Sequence, residues 1–231
     1  MENNVIVIVI DRVFVIVIVF STVTVLNVIR SNAQTAINNE LNNVVQPVLD
    51  NLEDGYRDIY QIISSAQGLL LAKDQAAIEY QKFEFKDNAY KAVPRFQSVE
   101  TLYQAGVLDP SSRDELSKLV NAMSKWVALH EPMFADPANA DQYNIDYSAA
   151  LDAEFATIRK QLRDIRTLIE LKQKELRQQA DDSIESSKLI IEVGMAVAIL
   201  AALFAMWLSN RFIVRPIQNV EKAERHYKQA L

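Results

Sequence analysis

Two kinds of hydrophobic pattern divide this chain. From Leu189 to Leu208 the apolar residues are continuous, LIIEVGMAVAILAALFAMWL, with no charge between Val193 and Leu208. A helix needs about 20 mostly apolar residues to cross a bilayer core, so this run is read as a membrane span. Trp207 closes it where an indole ring prefers the interface, and Arg211, Arg215 and Pro216 follow. A second continuous run, VIVIVIDRVFVIVIVFSTVTVLNVI, covers Val5 to Ile29 and is interrupted by Asp11 and Arg12. Placing those charges at an interface leaves Val13 to Ile29 to span. The Val/Ile alternation is strand-like in composition. Both faces are apolar, however, and a lone strand leaves its backbone unsatisfied in lipid, so a helix is expected. A cleaved signal peptide is the competing reading, and the absence of a clear small-x-small cleavage site favours an uncleaved anchor.

Between the runs the apolar residues become periodic. Leu41, Val45, Val48, Leu52, Ile59, Ile62, Ala66 and Leu69 step by threes and fours, with Gly55 in the one gap. That spacing predicts a helix over 30–72, which Pro47 should kink or break locally. A second helix is expected over 75–105, using Ile78, Phe85, Ala89, Val93, Phe96 and Leu102 and ending at Gly106. Asp109-Pro110 or Ser111 should start a third, with Leu116, Leu119, Met123, Trp126 and His130 on its inner stripe and a stop near Pro132. After a loop, the fourth should begin near Asn144 and continue into the Leu189 span along Tyr147, Leu151, Phe155, Ile158, Leu162, Ile165 and Ile169. The long first and fourth helices would each extend about 65 Å at 1.5 Å per residue.

Composition narrows the chemistry. The 231 residues include no Cys and only two His, His130 and His226, so neither a disulfide nor a His-rich metal or haem site is expected. The net charge of −6 argues against a nucleic-acid partner. No nucleotide-loop, metalloprotease or serine-hydrolase motif occurs, and no paired carboxylates or nucleophile constellation stands out; no enzyme and no cofactor are expected. Lys and Arg set the orientation: Arg211, Arg215, Lys222, Arg225 and Lys228 follow the second span, whereas Arg30 alone follows the first before Arg57. The basic side belongs in the cytoplasm, which puts both termini inside and the periodic segment outside.

A span, an outer helical segment, a second span and then Arg215-Pro216-Ile217 opening an amphipathic stretch, RPIQNVEKA, resembles a bacterial methyl-accepting chemotaxis receptor at the start of its HAMP domain. The resemblance implies an all-α fold, with two transmembrane helices flanking a periplasmic up-down four-helix bundle. It divides the chain into a cytoplasmic tail at 1–12, a transmembrane helix at 13–29, a ligand-binding bundle at 30–188, a second transmembrane helix at 189–210 and the HAMP start at 211–231. It implies a multi-pass protein of the bacterial inner membrane, working as a homodimer in contact with lipid. Its ligand would be a small molecule or a periplasmic binding protein, and a histidine kinase would lie downstream. Sensor histidine kinases and cyclases share this front half, and a non-sensory membrane-anchored helical scaffold is the rival class.

In the family's amino-acid receptors, arginines on the first helix hold the ligand's carboxylate. Here Arg57 is the only internal Arg of the first helix, so that site does not carry over. Arg57 reads either as a solvated residue beside Asp54 and Asp58 or as an anion anchor. The aromatic residues gather toward the segment's distal end, where Tyr60, Trp126 and Tyr147 either fill the core or line a small pocket. His130 is either a satisfied core histidine or a ligand contact or pH sensor. Arg159, Lys160, Arg163 and Arg166 form a basic run that is either a solvated face or a contact for an acidic partner. Trp207, Arg215 and Pro216 are the expected signal-transmission residues, Trp207 fixing helix depth and Pro216 softening the helix near Phe212.

Overall fold

A computed structural model describes residues 2–220, and every regular element among them is helical. In order these are α1 (Glu2–Glu40), a π-helical turn (Leu41–Val45), α2 (Gln46–Leu71), α3 (Gln75–Gln97), α4 (Glu100–Gln104), a 3-10 turn (Pro110–Ser112), α5 (Arg113–Ala135), a second 3-10 turn (Pro137–Asn139), α6 (Ala140–Ser209) and a second π turn (Asn210–Val214). The Val/Ile run is therefore helical in spite of its strand-like composition. The expected HAMP start lies outside the described residues from 221 onward. Among the described residues one helical stretch, Pro137–Val220, is long and apolar enough to cross a membrane.

The chain divides into two units, Ile37–Gln178 and the described parts of Met1–Ala36 with Gln179–Leu231. The larger holds one core, built from α2, α3, α4, α5 and residues 140–178 of α6. On α2 the buried stripe is the one the spacing predicted: Val48, Leu52, Ile59, Ile62, Ala66 and Leu69, with Gly55 among them. Gly55 is there because Phe96 needs its space. A Cβ at that position would lie 2.6 Å from Phe96 Cε1, and the Phe96 ring is fully buried. Gly55→Ala should therefore destabilise the unit by about 1–2 kcal/mol, since the strain of overpacking exceeds the gain in helix propensity. An unchanged or raised melting temperature would show that the ring can move aside.

Local chemistry sets the helix ends. Asp74 caps α3 by accepting from the Ala77 N–H at 2.8 Å. Gly106, at φ 73°, terminates α4 as the sequence predicted. The Val107 N–H reaches the Leu102 carbonyl at 2.9 Å and the Gly106 N–H the Tyr103 carbonyl at 3.2 Å, a Schellman arrangement closed by buried Val107 and Leu102. Asp109 accepts from the Ser111 N–H at 2.8 Å and Pro110 opens the next turn, again as expected.

Three boundaries differ from the sequence reading. The helix expected over 75–105 breaks after Gln97, where the Ser98 hydroxyl donates to the Arg95 carbonyl at 2.6 Å and competes with the backbone ladder. The helix expected to stop near Pro132 continues to Ala135, because Met133 and Phe134 are buried beyond the proline and reward the extra turn. The fourth long helix starts at Ala140 instead of Asn144; Pro137 opens a 3-10 turn, and buried Ala140 draws the chain into the helix early.

The smaller unit pairs α1 with the later part of α6 through small residues. Gly194 is buried, and a Cβ there would lie 3.0 Å from Val23 Cγ1 and Cγ2. The Ser183 hydroxyl donates to the Arg30 carbonyl at 3.4 Å. On α1 the Thr22 and Thr24 hydroxyls donate back to Ile18 and Phe20 carbonyls at 2.9 and 2.8 Å, so neither hydroxyl is left unsatisfied on an apolar helix. Trp207 is exposed and stacks on Phe204 at 5.8 Å, while the Arg211 guanidinium lies 5.7 Å from the Trp207 ring centre. Indole and cation thus share one level of the helix.

Candidate functional site

The five side chains named from the sequence do not form one pocket. Arg57 is 61% exposed and pairs with Asp54 at 2.8 Å one turn back, the solvated-face reading. Tyr60 is half exposed and shares a 2.8 Å hydroxyl–hydroxyl hydrogen bond with Tyr56, the two rings meeting edge to face at 5.0 Å. Trp126 and His130 are brought together in the core of the larger unit, with ring centres 4.3 Å apart and both side chains buried. Tyr147 stacks with Tyr143 along α6 at 6.2 Å.

The Trp126–His130 cluster is closed. His130 Nδ1 lies 2.8 Å from the Trp126 carbonyl, an arrangement that fits a protonated Nδ1 donating to that oxygen. Phe85 stacks on Phe134 at 4.0 Å, and Trp126 stacks on Phe155 at 5.9 Å. Burial holds the His130 imidazole below its ordinary value, opposed in part by the hydrogen bond to Trp126. The neutral ring is therefore the resident form near pH 7.

The open site lies elsewhere in the larger unit. A groove of about 990 Å³ runs between α2 and α6. Leu49, Asp50, Glu53 and Tyr56 line the α2 wall; Arg159, Lys160, Arg163, Arg166 and Arg177 line the α6 wall with Glu170. The basic run noted in the sequence is thus one wall of a cleft. Part of its charge is internally paired: Lys160 with Asp164 at 3.2 Å and Arg166 with Glu170 at 2.7 Å. The Arg166 guanidinium is held above its ordinary value, first by the Glu170 hydrogen bond and then by the Glu170 and Glu53 charges. Arg163 reaches Asp164 only at 3.7 Å. Among the described residues, Arg159 and Arg177 have no carboxylate within ion-pair distance. Arg159 lies over the Phe155 ring at 5.8 Å, near enough to Tyr56 for its charge to favour the phenolate. The Tyr56 hydroxyl is nonetheless held above its ordinary value, chiefly by the Tyr60 hydrogen bond and then by burial, so it stays protonated and able to donate.

Sequence reasoning missed the opposite wall of the groove, Asp50 and Glu53. It also missed Arg95. That side chain crosses from α3 to α2 and donates from Nη1 to the buried Asp58 carboxylate at 2.5 Å, with Asp54 at 3.7 Å. Arg57, next to Asp58 in sequence, pairs with Asp54 instead. No group of three or more His, Asp or Glu among the described residues is placed to hold a metal ion. The chain matches no protein-family model, no curated protein and no solved structure.

Proposed function

We propose that this chain is the sensory input module of a membrane receptor of the methyl-accepting chemotaxis type. In this reading an up-down four-helix bundle lies outside the bilayer between two membrane spans. The observation that carries it is α6, a single helix of 70 residues that contains both the basic wall of the groove and the apolar run from Leu189 to Leu208. A ligand bound against Arg159 and Arg163 would contact the helix that reaches Trp207, Arg215 and Pro216. It would bias two states of that helix by its differential affinity for them, and by no more than that.

The chemistry of the groove favours a small organic anion. Unpaired Arg159 and loosely paired Arg163 offer planar donors that match a carboxylate, and Tyr56 on the opposite wall offers a hydroxyl. The receptor would act as a homodimer. Leu41, Val45 and Val48 are 8%, 0% and 3% exposed and packed in their own chain's core, so its contact would use other residues.

The test is a thermal-shift panel of small mono- and dicarboxylates on the full chain in lipid nanodiscs. A true ligand at 100 times its Kd should stabilise the chain by about 2.7 kcal/mol. That gain should vanish in Arg159→Ala/Arg163→Ala. In a chimera that grafts residues 1–231 onto a known kinase-controlling module, the same ligand should change kinase output. A chain that melts alike with every carboxylate, and a chimera that ignores them all, would favour the scaffold reading.

A further inference from the structure

The two π-helical turns share a sequence pattern and a geometry. The first covers Leu41–Val45 and is followed by Gln46-Pro47; the second covers Asn210–Val214 and is followed by Arg215-Pro216. Each begins six residues before its proline and ends two before it. In each, two adjacent β-branched residues precede the basic or amide residue and the proline: Val44-Val45-Gln46-Pro47 and Ile213-Val214-Arg215-Pro216. In each, the residue before the proline donates its N–H five residues back, Gln46 to the Leu41 carbonyl and Arg215 to the Asn210 carbonyl. Neither turn contains a glycine, and neither lies at a helix end, since helix resumes directly after both.

The proline explains why a wide turn forms. In an α-helix, the ring of Pro47 would press on the Asn43 carbonyl and that of Pro216 on the Phe212 carbonyl, and both carbonyls would lose their donor. Taking one extra residue into the turn moves the carbonyl away from the ring, and the proline then sits in the first turn of the next helical stretch, where a missing N–H costs least. The side chains record the choice of register. Val45 is fully buried while its neighbour Val44 is only half-buried, so the wide turn sends the second of two interchangeable residues inward. At the second turn Ile213 and Val214 are exposed to nearly the same degree, 37% and 40%.

We infer that the tetrapeptide of two β-branched residues, Gln or Arg, and Pro is a proline-held register device used twice in this chain. Without the proline the wide turn relaxes to α-helix, which changes which of the paired residues faces inward. It also turns the following helix by about 100° and advances it by about 1.5 Å, the increment of one helical residue. The first device sits with its inward residue locked in the core. The second has neither residue committed, so the two turns differ in how firmly their register is held. This inference concerns the local backbone and holds whichever ligand the groove takes.

Single-cysteine variants of the full chain, which has no native Cys, provide the test. In lipid nanodiscs, Val44→Cys should react with a water-soluble maleimide at least tenfold faster than Val45→Cys, and adding Pro47→Ala should bring the two rates together or reverse them. The same pair at the second turn, Ile213→Cys and Val214→Cys, should react at similar rates, and Pro216→Ala should separate them. Residue-resolved amide exchange supplies a readout free of cysteines: the Val45, Gln46 and Val48 amides should exchange faster than those one turn to either side, and Pro47→Ala should slow them by tenfold or more. Should Pro47→Ala prevent folding, the Pro216 pair decides alone. Unchanged reactivity order and unchanged exchange after removal of the proline would overturn the inference.

Discussion

Replacing Arg95 with alanine should cost about 3 kcal/mol of stability at pH 7, and Asp58→Asn should cost much less. The Asp58 side chain is 3% exposed and its carboxylate takes a 2.5 Å hydrogen bond from Arg95. Removing one member of a buried pair leaves the other charge without compensation, an effect of about 3–5 kcal/mol. The lower end applies because the Arg95 side chain is 23% exposed and partly screened. Asp58→Asn removes the buried charge itself and leaves Arg95 with Asp54. The pH dependence follows from the carboxyl. Burial holds Asp58 above the ordinary carboxylate range, against the opposing charge and hydrogen bond of Arg95. A raised group contributes stability that is fully present below its unfolded value and is lost as pH rises through its folded value. Without Arg95 the folded value climbs further, so the deficit of Arg95→Ala should narrow as pH falls into the carboxylate range. Urea unfolding at pH 7.5 and pH 5 measures this, and equal deficits at both would show that Asp58 is not the group left exposed to the loss.

The same pair marks where sequence reading stopped. Patterns of burial were legible because they depend on spacing: the α2 stripe and the inner face of α5 each follow from which residues recur by threes and fours. The caps at Asp109 and Gly106 were legible because only a few residue types satisfy helix ends. Partners between helices were not. Asp58 stands beside Arg57 in sequence, but on a helix adjacent residues point about 100° apart, so Arg57 turns back to Asp54 while Asp58 faces α3 and meets Arg95. The three missed boundaries share a cause: at Ser98, Pro132 and Ala140, a local side-chain bond or the burial of the following residues outweighed propensity.

The groove was half legible. Its α6 wall showed in the sequence as four basic residues within one stretch, while its α2 wall required knowing that Asp50, Glu53 and Tyr56 face that run across the cleft. The aromatic candidates lie apart for a related reason. Composition brought Tyr60, Trp126 and Tyr147 into one list, but helix phase sends Trp126 inward and leaves Tyr60 half exposed on its own helix. Pro47 and Pro216 were each expected to disturb a helix. That both do so through the same widened turn depends on backbone hydrogen bonds that no single residue announces.

Trp126→Ala should destabilise the larger unit by about 4 kcal/mol, within the range for deleting a buried Trp or Phe. The indole is 2% exposed, stacks on Phe155 and meets His130 edge-on at 4.3 Å, so its loss opens a cavity on several neighbours at once. A ligand-binding Trp in a preformed pocket would give a different result, a small loss of stability with a large loss of affinity. His130 supplies a second signature in the same cluster. Its folded value lies below its unfolded one because burial penalises the charged ring. The stability linked to such a group is present above the unfolded value, about 6.5, and is lost as pH falls through it toward the folded value. Wild-type stability should therefore decline between pH 7 and pH 5.5 more steeply than that of His130→Gln, which has no proton to take up. Admitting water through Trp126→Ala should raise the His130 value toward normal and flatten the same slope, whereas the conservative Trp126→Phe should retain most of it. Melting temperatures of the four proteins at pH 7.5, 6.5 and 5.5 measure both effects. Parallel slopes in all four would place the pH dependence outside this cluster, and a Trp126→Ala variant as stable as wild type would return Trp126 to the list of ligand contacts.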